Sequence, residues 1–136
     1  MASWFNKGKH ELGSGTTVYT TATIKVLLVT SGYVLNIDHD FVDDITNEVT
    51  GGGYVRQTLG TKVVTNNTTS DRTEFDAADS TFTNVTATNM NAAIAFRDTG
   101  TASTSPLLWY LDFTAQSPAA ADVTLQWNSS GLAHIT

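Results

Sequence analysis

Clusters of Gly, Asn, Asp, Ser and Pro interrupt this chain at intervals of roughly 8 to 15 residues, and most runs between them alternate apolar and polar side chains. That spacing predicts an all-β protein, a β-sandwich, jelly roll or barrel of about eight or nine short antiparallel strands, with room for one short helix. The strand pattern begins with TTVYTTATIKVLLV from Thr16, where Val18 and Thr20 share a face and Ile24, Val26 and Leu28 resume the period after a break near Ala22. Tyr33 to Ile37, Tyr54 to Leu59, Lys62 to Thr65 and Arg72 to Asp76 read as further strands, the last with Phe75 pointing inward. Phe82 and Val85 mark another, and Ala92 to Phe96 continues the series. Pro106 to Phe113, PLLWYLDF, is the most hydrophobic run and reads as a central strand buried on both faces. Asp122 to Trp127 turns Val123, Leu125 and Trp127 inward, Asn128 to Gly131 forms a turn, and LAHIT closes the chain as a terminal strand. No internal repeat is visible.

Composition agrees with this class. Thr fills 24 of 136 positions, and its β-branched side chain suits a pleated, half-solvated surface. With no Cys, the fold must hold by packing, hydrogen bonding or association, and its length fits one domain. A net charge of −6, with the seven Lys and Arg scattered along the chain, speaks against nucleic-acid binding, which needs a basic patch that neutralises several phosphates. The N-terminal segment lacks the apolar core of a signal peptide, and no apolar run approaches the roughly 20 residues of a membrane helix. The expectation is a protein made and used without crossing a membrane by the ordinary route.

Charge, a short apolar helical spacing and a strong turn signal meet only between Asp38 and Gly60. Asp38 and Asp40 precede Phe41, Val42 and Ile45 as helix caps, and Gly51, Gly52 and Gly53 stop any helix within two turns. The triple glycine reads as a joint that lets Tyr54 enter a sheet. The carboxylates Asp38, Asp40, Asp43, Asp44 and Glu48 invite a calcium reading, but an EF-hand loop opening at Asp38 would need Gly at Asp43 and Glu at Val49. Gly51 to Gly53 has no Walker lysine and no dinucleotide fingerprint after it. Glu48, Glu74 and Asp112 offer carboxylates for glycoside hydrolysis without any sign of a cleft. His10, His39 and His134 have no metal-ligand spacing, and no Ser sits in a nucleophile elbow. No catalytic residue, metal site or cofactor is therefore assigned.

Residues 1–15 read as an N-terminal arm on a β domain of residues 16–136, with Gly13, Ser14 and Gly15 as its hinge. Trp4 and Phe5 are costly to leave in water. They either fold back onto the domain's own sheet or anchor on a neighbouring subunit, as aromatic side chains do at interface hot spots.

Four segments together, IKVLLVTSGY, HDFVDDITNEVTGGGYVRQTLG, DRTEFDAADSTFTNVT and SPLLWYLDF, resemble a group of small structural proteins of tailed double-stranded DNA bacteriophages. The likeness runs from about Thr16 to Gly131 and is most specific in EVTGGGYVRQTL. It implies a non-enzymatic virion component, assembled in the host bacterial cytoplasm. The favoured station is that of a capsid decoration or cement protein, a homotrimer bound to the major capsid protein on the outside of the expanded head. In that setting Trp4 and Phe5 would anchor the arm, and Lys7 and Lys9 would meet acidic capsid surface. The alternatives are a carbohydrate-binding fibre or tail module, using Tyr54 or Trp109 against sugar rings, and a head–tail or tail-tube component.

Overall fold

The computed structural model describes residues 2–128 and 130–135. Met1, at the start of the expected arm, Ser129, in the expected turn, and Thr136, at the end of the expected terminal strand, lie outside the described residues. The all-β expectation holds. Strands β1 (Ser3–Trp4), β2 (Ile24–Thr30), β3 (Gly51–Gly52), β4 (Gln57–Thr58), β5 (Val63–Asn67) and β6 (Arg72–Asp76) are followed by β7 (Ser80–Thr86), β8 (Met90–Arg97), β9 (Leu107–Gln116), β10 (Ala121–Leu125) and β11 (Ala133–Ile135). One helix, α1 (Asn6–Gly13), is inserted after β1. The strands form three antiparallel sheets that do not close into a barrel: β1-β9-β8-β2-β4, β10-β7-β3 and β11-β6-β5.

The five-stranded sheet is the middle layer. Its two longest-paired strands, β2 and β8, are buried along most of their length on both faces. One face carries Ile24, Val26 and Leu28 against Phe75, Phe82 and Val85 of the two smaller sheets. The other carries Leu27, Val29, Ile94 and Phe96 beneath Phe5, Tyr33 and Val42. Burying a side chain of this size contributes about 1.5–3 kcal/mol, so both faces matter to stability. A polar-loop segment, residues 31–45, thus serves as the second covering layer. Tyr33 to Ile37 is accordingly no strand: Tyr33 is buried on the sheet, while its neighbour Val34 is 80% exposed. The apolar spacing at Phe41, Val42 and Ile45 yields only a single 3-10 turn, Val42–Asp44.

The expected arm is part of the domain. Trp4 pairs with Trp109 and Ser3 with Tyr110 on β9, and the Phe5 N–H donates to the Leu108 carbonyl at 3.1 Å. Helix α1 then lies on the same strand. A Cβ on Gly8 would come within 2.7 Å of Leu108 Cα, so this glycine is a contact point between helix and strand. β9 itself is buried on both faces only from Leu107 to Trp109, and it stands second from the sheet edge, its outer neighbour being the two-residue β1.

The triple glycine also differs from expectation. Gly51 and Gly52 are themselves the strand β3, paired with Thr86 and Val85. Tyr54 enters no strand. Residues 53–56 cross from the small sheet to the large one, where Gln57 and Thr58 pair with Val26 and Lys25. The chain from Thr16 to Thr23 is turn and loop, and β2 begins at Ile24, just beyond the predicted break.

Candidate functional site

The acidic stretch resolves into internal supports. Asp44 Oδ2 accepts the Asp40 and Phe41 N–H groups at 2.8 and 3.0 Å. Those bonds, Phe41 first, hold its carboxyl below the usual range. Asp38 accepts the Asn6 side-chain amide at 2.6 Å, tying the loop to the start of α1. Glu48 receives Arg56 through both oxygens, at 2.8 and 2.7 Å, and the Tyr54 hydroxyl at 2.9 Å. Tyr54 also accepts the Leu28 N–H at 3.0 Å and stacks on Phe82 at 5.8 Å. Burial, followed by the Glu48 charge, pushes the Tyr54 phenol upward. Among the described residues no group of three or more His, Asp or Glu is placed to hold a metal ion.

The other acids are dispersed. Glu74, on β6, accepts Arg72 at 2.7 Å and Asn67 at 3.0 Å, whereas Asp112 is exposed on β9. The His39 ring meets the Tyr33 hydroxyl at 3.1 Å, and the His134 carbonyl accepts the Trp4 indole N–H at 2.9 Å. The aromatics considered for sugar stacking are committed to the fold. Trp109 is 1% exposed, and Tyr54 is held between Phe82 and Glu48.

A buried network at the end of α1 carries no signal in the sequence. Glu11 is buried, and its carboxylate meets the Thr17 hydroxyl at 2.9 Å, Arg97 at 3.1 Å and Lys7 at 3.4 Å. Burial pushes this carboxyl up, but the Thr17, Arg97 and Lys7 interactions outweigh it and hold the group below its ordinary value. Arg72 holds Glu74 low and Lys25 holds Asp98 low in the same manner, Lys25 Nζ lying 2.6 Å from the Asp98 carboxylate. A carboxyl lowered in the folded state stabilises fully above its unfolded pKa and loses that contribution as pH falls through its folded pKa. Melting temperature is therefore expected to stay level from neutral pH down to about 5 and to fall below about 4. Glu11→Gln should flatten that acid limb in thermal melts across the same range, and an unchanged limb would remove Glu11 from the account.

Of the four residues expected to meet a partner, the structure brings two to one surface. Trp4 and Lys9 line a shallow groove of about 590 Å³ together with Leu12, Phe75 and Ile135. Trp4 is half-buried, its ring edge-on to Phe75 at 5.4 Å and to Trp109 at 5.2 Å. Phe5 is fully buried in the chain's own core, which corrects its place in an extended arm. Lys7 bonds Glu11 and lies over the Phe41 ring at 5.2 Å. Leu12 and Ile135 carry no sequence signal for this surface, because their meeting depends on β11 pairing with β6 beside α1. Comparison with known proteins gives no match to a protein family, to a curated protein or to a solved structure.

Proposed function

We propose that this chain is a non-enzymatic structural protein of a tailed double-stranded DNA bacteriophage particle. In this reading it is a decoration or cement protein that binds the major capsid protein as a homotrimer on the outside of the expanded head. The observation that carries the reading is where the charged groups sit. The groups in the most specific segment of the family likeness brace the fold, Glu48 on Arg56 and Tyr54, whereas the groove of Trp4, Leu12 and Ile135 keeps an exposed cation, Lys9, at its lining. An apolar floor beside a lysine suits a protein surface with apolar and acidic groups.

The action is mechanical. Packaged DNA presses outward on a head, and a domain that binds the expanded form better than the unexpanded one shifts the balance toward expansion by its differential affinity. Many copies add modest contacts. No helix among the described residues is long and apolar enough to cross a membrane, which is compatible with assembly in the host cytoplasm.

Density-gradient sedimentation with purified heads tests this reading. The protein should travel with expanded heads and not with unexpanded ones. Lys9→Glu combined with Ile135→Asp should lower occupancy about tenfold or more, with the melting temperature kept. Equal binding to both head forms, or to neither, would overturn the proposal. Six-membered rings in native mass measurement would point to a neck or tube component, and glycan binding to a fibre module.

A further inference from the structure

Of the open strand edges in this molecule, two are complementary. β9 pairs with β8 as far as Gln116, but on its other side its backbone partners among the described residues, Ser3, Trp4, Phe5 and Asp40, reach no further than Tyr110. From Leu111 onward that side borders a groove of about 650 Å³, whose opposite wall is β10, the end strand of its own sheet. Half-buried Leu111, Phe113, Val123 and Leu125 line it. Near it, exposed Asp112 has no ion-pair partner among the described residues. An apolar slot flanked by strand edges accepts an extended chain, which supplies both backbone hydrogen bonds and alternating side chains.

The second edge is β5, the end strand of the third sheet. Val63 and Val64 are 47% and 41% exposed, and Lys62 stands just before them. Five of the seven basic residues are ion-paired; Lys9 and Lys62 are the two without a carboxylate among the described residues. An exposed edge strand carrying valines is a template for pairing unless something covers it.

We infer that β5 of one copy docks as an extended strand along the open side of β9 in a second copy, with the Val63 side chain entering the groove beside Leu111 and Phe113 and Lys62, on the opposite face of the strand, meeting Asp112. The two patches differ, so the contact is heterologous: every copy offers one of each, and a suitable rotation closes a ring. Three copies would form the trimer proposed above. This inference rests on the homo-oligomer part of that proposal and is independent of the head contact.

Native mass spectrometry and light scattering of the full chain up to about 100 μM provide the test. The wild type should form a closed trimer. Val63→Lys with Val64→Lys should weaken association at least about a hundredfold. Lys62→Asp and Asp112→Lys should each weaken it about tenfold, and the two in one chain should restore it. Restoration cannot come from a folding defect, and melts of each variant provide a separate check. A wild type that stays monomeric, or an oligomer unmoved by the edge substitutions and the charge swap, overturns the inference. Gradient sedimentation separates the two ideas: a monomeric wild type that still binds expanded heads sinks the ring alone, and a ring that ignores heads sinks the head contact alone.

Discussion

Phe5→Ala is expected to lower unfolding stability by about 4 kcal/mol, the range for truncating a fully buried phenylalanine. The side chain is 0% exposed, among Leu27, Ile94 and Phe96 on the second face of the large sheet. Its backbone is also committed, since the N–H donates to Leu108 and the carbonyl accepts the Lys9 N–H, both at 3.1 Å. A domain of this size holds roughly 5–15 kcal/mol in total, so the variant would be marginal at room temperature. Removing residues 2–15 should go further and leave no cooperative urea transition, because β9 would lose β1 and α1 and the network around Glu11 would be broken. A truncated chain that melts like the full one would show that the segment is an arm after all.

Gly51→Ala is expected to cost about 3 kcal/mol, at the upper end of what overpacking does. A Cβ at this position would point directly onto the Thr86 carbonyl oxygen, which belongs to the backbone of β7 and has no rotamer to move away. The strand pair must then separate, and with it the crossing that carries Tyr54 from the small sheet to the large one. Gly13→Ala provides the contrast: nothing lies within 4 Å of its would-be Cβ, and the change should be neutral or stabilising by a few tenths of a kcal/mol. Parallel urea titrations of the two variants would measure the difference, and equal midpoints would refute the packing argument.

The same glycines show where reading a chain stops. Three in a row announce a special backbone, but whether they form a joint or a strand depends on Thr86 lying opposite, a partner more than thirty residues away. α1 was illegible for a related reason: in NKGKHELG the one large aliphatic side chain is Leu12, and Gly8, a poor helix former, is required by the approach of β9. The groove at Trp4 depends on β11, at the far end of the chain, and could not be read from either terminus alone. By contrast, RTEFD with Phe75 inward and the break before Ile24 were readable, because they follow from neighbours a few residues apart.

Neighbouring residues alone dictate local features: a period of two, turn chemistry that repeats, and hence an all-β chain without disulfides. Where the apolar side chains went was settled by long-range packing. Burial of Trp4 and Phe5 was required by their size in water, yet the hydrophobic effect is non-directional and does not say which surface will cover them. The uncovered edge of β9 decided it, by offering backbone partners to Ser3 and Phe5 and so drawing both aromatics into the chain's own core.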